Sequence, residues 1–362
     1  MSRLAVIDIG TVTVRLAIAD VVDGNAAMLE RRSTICNLGE GVDKSGELNP
    51  QAMERVTRCC RDYVSLIAES QVEGVCVTLT SAARDARNGS AFVTALQELG
   101  LNPQIIPGEV EGMLTFWGVS QDFAGERLLV CDSGGGSTEF VVGVLNNNAP
   151  ELEYVQSLNV GCRRVTERHL VSDPPTQTEL AQARQMCKDA FEAELPWLHH
   201  HEVASAEHAG DAEDAGDAED AEMLRVLQAG RQASIDKPER LVAVAGTVTT
   251  LVAMSAELEP YDSSFVHLHE LGLHEIKELI ERMAAMPLEK RSQLKGLQAQ
   301  RAPVILGGAI AIEQMMEVAG YESLIVSESD LLVGLLLASS AQLEGRGNTL
   351  SWLPLISQGN FV

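Results

Sequence analysis

Aromatic residues, basic residues and paired cysteines are scarce in this chain. Only 4% of its 362 residues are aromatic, so few rings are available on which nucleic-acid bases could stack. The 27 lysines and arginines face 52 aspartates and glutamates, which gives a formal net charge of -25. This charge opposes binding to nucleic acids and to anionic membranes. We expect neither partner, and an anionic substrate would need arginines, backbone N–H groups or a metal ion gathered at one site.

The seven cysteines include no C-x-x-C pair, which argues against a disulfide framework and a thiolate metal site. Several, such as Cys76 and Cys131, lie inside apolar runs, which predicts reduced and buried thiols. No signal sequence is expected, because Asp8 interrupts the first apolar run. The longest uncharged stretch, between Arg240 and Glu257, is too short to span a membrane. We therefore predict a cytoplasmic protein.

Strand-like and helix-like patterns alternate along the first third of the chain, which is typical of an α/β domain. An apolar strand that ends in Asp8 is followed by a Gly-Thr turn and a hairpin partner. The same plan returns at residues 128–145, where a strand ends in Asp132 and turns through glycines into its partner. Two such openings predict two related lobes, residues 1–124 and residues 125–327.

One segment departs from this plan, an acidic low-complexity insertion at about residues 199–222. No basic residue lies between Lys188 and Arg225, and Asp-Ala-Glu-Asp-Ala-Gly repeats from residue 211. Such a composition leaves too little apolar surface to offset the entropy of ordering, which predicts a solvated loop between two helices. The alternative is a transition-metal site formed by its acids and neighbouring histidines, at His199, His200, His201 and His208.

The strongest chemical signal is Asp-Ser-Gly-Gly-Gly-Ser-Thr-Glu at residues 132–139, directly after an apolar strand. Consecutive glycines let the backbone approach an anion closely and direct its N–H groups inward as a phosphate nest. Asp132 at the strand end can hold a hard cation, directly or through water. A flexible glycine hairpin is the alternative. The predicted phosphate-binding residues are Gly134, Gly135, Gly136, Ser137 and Thr138.

Two other turns are weaker signals of the same kind. Asp-Ile-Gly-Thr at residues 8–11 forms the opposing jaw, and Ala-Gly-Thr at residues 245–247 opens a helix. Each alone is more typical of a plain tight turn than of a phosphate site. Together the three turns resemble the phosphate-binding signature of the actin and hexokinase superfamily. That resemblance implies a duplicated ribonuclease-H-like fold with a cleft between its lobes, and phosphate contacts at Gly10, Thr11, Thr13, Gly246 and Thr247.

Four further motifs narrow the match. They are Thr-Ser-Ala-Ala-Arg-Asp-Ala at 80–86, Ile-Pro-Gly-Glu-Val-Glu-Gly at 106–112, the segment 157–168, and Arg-Ala-Pro-Val-Ile-Leu-Gly-Gly-Ala at 301–309. In this order and spacing they are similar to the exopolyphosphatase/guanosine pentaphosphate phosphohydrolase (Ppx/GppA) family, from Leu4 to about Gly334. Actins and sugar kinases lack the Ser-Ala-Ala-Arg and Gly-x-x-Glu elements. The resemblance also implies that a helix at about residues 328–345 returns to the first lobe.

The family resemblance implies roles for individual residues. Glu111 would be the catalytic glutamate that deprotonates or orients the attacking water; an ordinary acid at a helix start is the alternative. Arg84, with Asn88 nearby, would face substrate phosphates, although a surface ion pair with Asp85 is also compatible. Magnesium, or manganese in its place, would be held by three acids at strand ends: Asp8, Asp132 and Glu139.

Three departures from the family pattern affect the site. Val12 stands where the family usually has Asn, Val110 replaces the first glutamate of a pair, and Pro303 replaces an Asp after Arg301. One side-chain donor to substrate is therefore absent, while the backbone donors of the first turn remain. We expect the short, two-lobed type of the family, without the additional C-terminal helical domains of longer members.

The implied activity is exopolyphosphatase, which releases orthophosphate from inorganic polyphosphate. Hydrolysis of guanosine pentaphosphate, which uses the same catalytic groups, is the nearest alternative. A non-catalytic phosphate or alarmone sensor and an acceptor-specific kinase are more distant alternatives. A homodimer is open, because dimers are common in the family.

Overall fold

The structure is a computed structural model and describes residues 1–198, 235–346, 350 and 352–357. Within these ranges, two six-stranded sheets form the two lobes. The first sheet contains β1 (Ser2–Ile9), β2 (Thr13–Val22), β3 (Asn25–Ile35), β4 (Gly74–Leu79), β5 (Pro103–Ile105) and β12 (Ile356–Ser357). The second contains β6 (Arg127–Ser133), β7 (Thr138–Asn146), β8 (Ala149–Leu158), β9 (Arg240–Val244), β10 (His269–Gly272) and β11 (Ser323–Val326).

The two sheets share one topology. In the first sheet β1 pairs antiparallel with β2 and parallel with β4, while β2 pairs antiparallel with β3 and β4 pairs parallel with β5. The second sheet repeats this plan with β6, β7, β8, β9 and β11, and β10 adds an antiparallel edge strand. The strand order 3-2-1-4-5 therefore occurs twice, and the predicted duplicated ribonuclease-H-like fold class is confirmed.

Helices cover the first sheet on both faces. Leu4 and Val6 of β1 pack in one apolar core, and the alternate residues Ala5, Ile7 and Ile9 pack in another. This is the behaviour of a central strand, whose successive side chains point to opposite faces. The helices of this lobe are α1 (Val42–Ser45), α2 (Pro50–Glu69), α3 (Ser81–Asp85), α4 (Gly89–Gln97) and α5 (Gly108–Ser120).

Helix α2 begins where local sequence chemistry predicts a helix start. The Asn49 side chain accepts a hydrogen bond from the N–H of Gln51 at 2.8 Å, and Pro50 occupies the first helical position. Both features suit a helix N-terminus, because the cap satisfies a free N–H and proline has none to satisfy. The apolar face predicted at helical spacing then packs against the first sheet, burying residues such as Val56, Cys60 and Ile67.

The second lobe buries its core between its sheet and a set of helices. These are α6 (Cys162–His169), α7 (Gln177–Glu192), α8 (Gly246–Ser255), α9 (Ser263–Val266), α10 (Leu273–Ala284), α11 (Leu288–Arg291) and α12 (Ala302–Ala319). Short 3-10 turns lie at Gln121–Phe123, Pro196–Leu198 and Ala299–Arg301.

The last described helix, α13 (Leu331–Leu343), lies with α5 between the two sheets. It packs against α5 and against β1 and β2 of the first lobe. Two glycines permit the close crossing of α5 and α13: a Cβ on Gly334 would lie 1.9 Å from the Leu114 oxygen, and one on Gly118 would lie 2.2 Å from the Asp330 oxygen. The helix is shorter than the predicted range 328–345, because Ser327–Ser329 form a turn and Asp330 is its N-cap.

Four of the observed strands were missing from the sequence prediction: β3, β8 and the short strands β10 and β12. Strands β3 and β8 complete the antiparallel half of each sheet, but both are edge strands with many exposed, charged side chains. Residues such as Glu30, Arg31 and Arg32 obscure the alternation of apolar and polar positions by which a strand is recognised. The acidic insertion and its histidines lie outside the described residues.

All seven cysteines are unpaired and buried, which confirms the prediction of reduced, buried thiols. Among the described residues, the stretch Ala299–Ala319 is long and apolar enough to cross a membrane, and 83% of its apolar window is buried inside the protein. A core helix has the same properties, and α12 contributes to the core of the second lobe.

Candidate active site

A cavity of about 570 Å³ opens between the two lobes. The turns after β1 and β6 face each other across it, and the start of α8 closes one side. The predicted site residues that line it are Asp8, Gly10, Thr11, Thr13, Glu111, Asp132, Gly134, Gly135, Gly136, Ser137, Gly246 and Thr247. The topology explains this meeting, because the ends of β1 and β6 are equivalent positions in two copies of one sheet.

The backbone of the first turn is held from behind. Gly10 donates its N–H to the Thr13 oxygen at 2.9 Å, and the Thr11 oxygen accepts from Gly39 at 2.9 Å. The Val12 oxygen accepts from both Cys36 and Asn37, also at 2.9 Å. The Val12 side chain does not reach into solvent but packs against Cys162 and Val304 of the second lobe. In place of a polar donor, this position therefore supplies an apolar contact between the lobes.

Glycines are required where the second turn meets the first lobe. A Cβ on Gly135 would lie 2.7 Å from the Thr11 Cβ, and one on Gly136 would lie 2.3 Å from the Ser81 Oγ. Both distances are too short for real carbon contacts, so only glycine fits at this approach. Gly135 and Gly136 thus let the lobes approach each other closely, in addition to exposing backbone donors.

Asp8 is held by an arginine. Arg15 lies directly opposite Asp8 in the β1–β2 pairing and binds its Oδ2 at 2.7 and 3.0 Å. Arg15 also binds Asp330 at 2.5 Å, and Arg31 adds a second contact to Asp330 at 2.9 Å. Burial opposes the charge on Arg15, but Asp330, Asp8 and Asp132 together raise its pKa. Burial also opposes the charge on Asp8, which raises the pKa of this carboxyl group, and the nearby Arg15 opposes that shift.

Asp132 and Glu139 have no such counterion. They face each other in the β6–β7 pairing and accept hydrogen bonds from hydroxyl groups, Thr115 to Asp132 at 3.0 Å and Ser157 to Glu139 at 2.7 Å. Burial raises the pKa of Asp132 to about 6 despite the pull of Arg15. Burial, together with the charge on Asp132, raises the pKa of Glu139 to about 8.

Glu111 lies in the first turn of α5 and is 9% exposed. Burial and the negative charge of Glu139 raise its pKa well above the usual range, and Arg84 opposes the shift. Arg84 reaches Glu111 at 3.4 Å and donates to the Ile106 oxygen at 2.8 Å. The structure therefore places a basic carboxylate and a guanidinium side by side at the edge of the phosphate-binding turns.

Three of the predicted phosphate-binding residues make structural contacts inside the protein. The Asn88 amide bonds both the N–H and the oxygen of Leu48, at 2.7 and 3.0 Å, and does not line the cavity. Thr138 is fully buried and donates to the Val160 oxygen at 2.6 Å. Gly246 leaves room for the Arg301 guanidinium, because a Cβ at this position would lie 2.2 Å from an Nη atom of Arg301.

The sequence analysis did not identify Arg15 and Asp330 as site residues. It also assigned no role to Arg301, which lines the cavity. Arg15 could have been found from the hairpin register, which pairs it with Asp8. Asp330 carries a capping signal, since it precedes an apolar helix and accepts from the Leu332 N–H at 3.0 Å. Arg301 lines the cavity at 8% exposure, and burial lowers its pKa. Its Nε has no hydrogen-bond partner in the described part of the chain. Pro303 occupies an early helical position and does not displace it.

The residues present fit a magnesium ion that is shared with substrate. In the described ranges, no three His, Cys, Asp or Glu side chains converge closely enough to ligate a metal by themselves. Magnesium, however, commonly binds one or two carboxylates and takes its other ligands from water and phosphate. Among the described residues, Asp8 Oδ1 and Glu139 Oε2 are buried without hydrogen-bond partners, and Asp132 lies directly opposite Glu139 in the β6–β7 pairing. All three side chains offer hard oxygen donors, and Asp132 and Glu139 have hydroxyl donors in place of the arginine that neutralises Asp8.

Comparisons with known proteins agree with this geometry. A model of the Ppx/GppA phosphatase family matches residues 17–209 and 214–342. Exopolyphosphatase 2 of Mycobacterium tuberculosis is 32% identical over 93% of this chain and 98% of its own length. The crystal structure of the Aquifex aeolicus Ppx/GppA family member matches 96% of this chain and 99% of that one, with 29% identity and a TM-score of 0.69. An exopolyphosphatase structure from Cytophaga hutchinsonii shares the fold at 24% identity and a TM-score of 0.74. The chain belongs to the Ppx/GppA phosphatase family.

Proposed function

We propose that this protein is a phosphoanhydride hydrolase that releases orthophosphate from the ends of inorganic polyphosphate. One observation carries the proposal: a buried carboxylate with a raised pKa, Glu111, lines the cavity together with two glycine-bearing turns and is contacted by Arg84 from behind the cavity lining. Such an arrangement can bind phosphate groups and move one proton. The exopolyphosphatase relative supports this substrate class.

In the proposed reaction, the backbone N–H groups of the turns and the Arg84 guanidinium bind the terminal phosphates. Phosphoryl transfer needs little covalent help from a protein, so positioning and charge stabilisation supply most of the catalysis. A water molecule held by Glu111 attacks the terminal phosphorus. Glu111 takes the proton of that water, and the bond to the bridging oxygen breaks. A raised pKa suits Glu111 to this task at near-neutral pH.

Magnesium, or manganese, would be held by Asp132 and Glu139 with Asp8 nearby, and would neutralise phosphate charge when bound. The chain's own residues explain why a cation is needed there. The pKa values of Asp132 and Glu139 are raised because burial penalises their charge, and their hydrogen-bond donors within the described ranges are hydroxyl groups and not arginines. Without a cation these carboxylates would repel the polyanionic substrate.

Guanosine pentaphosphate is the second candidate substrate. The cavity extends from the phosphate-binding turns to Leu258, Tyr261 and Leu297, past the buried Arg301. An aromatic ring beside aliphatic side chains can contact a nucleobase, and a guanidinium can contact its phosphates. This extension is the feature that favours a nucleotide over a plain polyphosphate chain.

The deciding experiment compares phosphate release from short polyphosphate and from guanosine pentaphosphate, with and without magnesium. Higher kcat/KM for polyphosphate supports the favoured activity, and the reverse preference supports the nucleotide. Tyr261→Ala sharpens the assay, because it should weaken only a substrate that carries a base. If substrates bind but neither is cleaved with any metal, the protein is a sensor.

A cytoplasmic location and a homodimer stay predictions, to be tested by fractionation and by sedimentation.

A further inference from the structure

The carbonyl groups of the three consecutive glycines all point at the start of α6. The N–H of Cys162 donates to the Gly134 oxygen at 3.0 Å, and the N–H of Arg163 donates to the Gly135 oxygen at 2.9 Å. The third carbonyl, that of Gly136, accepts from the side-chain Nε of Arg164 at 2.8 Å. Two of the three carbonyls are therefore held by backbone groups, and one is held by a side chain.

This anchoring determines where the N–H groups of the turn point. In a trans peptide the C=O of one residue and the N–H of the next point in opposite directions. The carbonyls of residues 134–136 face α6, so the N–H groups of Gly135, Gly136 and Ser137 face away from it. None of these three N–H groups has a hydrogen-bond acceptor among the described residues. They are free donors in a turn that lines the cavity.

Arg164 is itself held by the first lobe. Its two Nη atoms bind Asp43 and Asp85, each at 2.5 Å, and its side chain is 11% exposed. The guanidinium thus connects the Gly136 carbonyl in one lobe with two carboxylates in the other. Because a planar guanidinium has a fixed arrangement of donors, its orientation is determined once both carboxylates are bound.

We propose that Arg164 is a positioning residue that aims the Ser137 N–H at substrate phosphate and makes that orientation depend on contact between the lobes. Asp43 and Asp85 orient Arg164, Arg164 orients the Gly136–Ser137 peptide, and that peptide presents its N–H to the phosphate. If the lobes separate, the carboxylates withdraw and the peptide is free to rotate. The phosphate nest is complete only when the lobes are in contact. This inference rests on the proposed function for the identity of the ligand.

Arg168 provides a matched control on the same helix. It binds Asp43 with two hydrogen bonds of 2.7 Å, so it shares a partner with Arg164 and also connects the two lobes. Its side chain is 42% exposed, and no hydrogen bond connects it to the glycine turn within the described part of the chain. A role limited to holding the lobes together predicts similar effects at both arginines. The positioning role predicts an effect on phosphate binding at Arg164 alone.

The experiment compares Arg164→Lys with Arg168→Lys. Lysine keeps the positive charge near Asp43 but cannot contact both lobes through one planar group. Binding of tripolyphosphate is measured by calorimetry in a Glu111→Gln background, which prevents turnover, and melting temperature is recorded for each variant. We expect Arg164→Lys to weaken tripolyphosphate binding about tenfold, as loss of one oriented donor would, and Arg168→Lys to leave it within about twofold. In the active protein, KM should rise more than kcat falls.

Asp85→Asn provides a second variant if Arg164→Lys does not fold. It releases one side of the guanidinium without touching the turn, and it should raise the dissociation constant in the same direction by a smaller factor. In a double-mutant cycle, its effect should vanish once Arg164 is lysine.

The outcomes separate this inference from the proposed function. Equal dissociation constants for Arg164→Lys and Arg168→Lys, or additive effects of the Asp85 and Arg164 changes, overturn the positioning role and leave the hydrolase intact. A protein with wild-type Glu111 that binds tripolyphosphate without cleaving it overturns the hydrolase, while the binding comparison still decides the role of Arg164. Absence of tripolyphosphate binding overturns both.

Discussion

The turns after β1 and β6 share one backbone arrangement, but the aspartate beside each turn has a different electrostatic environment. In both, a strand ends in a buried aspartate and the carbonyls of the turn are held from behind, by residues 36–39 in the first lobe and by α6 in the second. Asp8 is neutralised by Arg15, whereas the hydrogen-bond donor to the Asp132 side chain among the described residues is the Thr115 hydroxyl. Duplication of a fold therefore copies the backbone, and the side chains decide which copy carries charge.

This difference explains why chemistry is assigned to the second turn. An acid that is paired with an arginine is already compensated and gains little from a metal ion. Unpaired buried acids such as Asp132 and Glu139 are raised in pKa by their surroundings, so a cation would be stabilised there. Glu111 belongs to the first lobe in sequence, but its pKa is raised by burial and by the charge of Glu139 in the second lobe.

Replacing Glu111 should give the largest effect. Glu111→Gln keeps the shape of the side chain and removes the proton acceptor, so kcat should fall by about 10²–10⁴-fold while the protein stays folded. Tripolyphosphate binding should change little, because the glycine turns and Arg84 remain. The measurement is phosphate release with calorimetric binding as its control, and turnover within a few-fold of wild type would show that Glu111 is not the base.

The paired variants Asp132→Asn and Asp8→Asn test the comparison directly. Asp132→Asn should raise the magnesium concentration for half-maximal activity about tenfold, because an amide is a poorer ligand for a hard cation. Asp8→Asn should change this concentration less but lower the free energy of unfolding by about 1–3 kcal/mol, because the buried Arg15 loses an acceptor. Magnesium titrations and thermal melts of both variants provide the test. Identical magnesium curves for Asp132→Asn and wild type would mean that the ion is held elsewhere.

The stability of the metal-free protein should depend on pH through Glu139. The pKa of Glu139 is about 8 in the folded state, above its ordinary value, so between about pH 4.5 and 8 the folded state holds a proton that the unfolded chain has lost. The free energy of unfolding should therefore fall by a few kcal/mol as pH rises through this window.

Glu139→Gln should flatten this pH dependence, and magnesium should offset the loss in wild type near pH 8. Denaturant unfolding at several pH values, with and without a chelator, measures both effects. An unchanged slope in Glu139→Gln would assign the proton to another of the buried acids.

Much of the fold follows from local signals in the sequence. Central strands such as β1, β4 and β6 are built on short apolar runs, and α2 begins with an Asn-Pro capping signal, so their positions were predictable. The edge strands β3 and β8 were not, because half of an edge strand faces solvent and its sequence carries charges. Their place is set by pairing with β2 and β7.

The sequence by itself determined which residues have the chemistry for the site: the two aspartates at strand ends, the glycine turns, Glu111 and Arg84. Only the tertiary structure decided how each is used, because hydrogen bonding and burial depend on residues distant in the chain. Asn88 binds Leu48, Arg15 neutralises Asp8 with help from Asp330, and Arg164 holds the turn from the opposite lobe. A carboxylate has the same formula in every sequence, but its charge is set by the neighbours that folding brings to it.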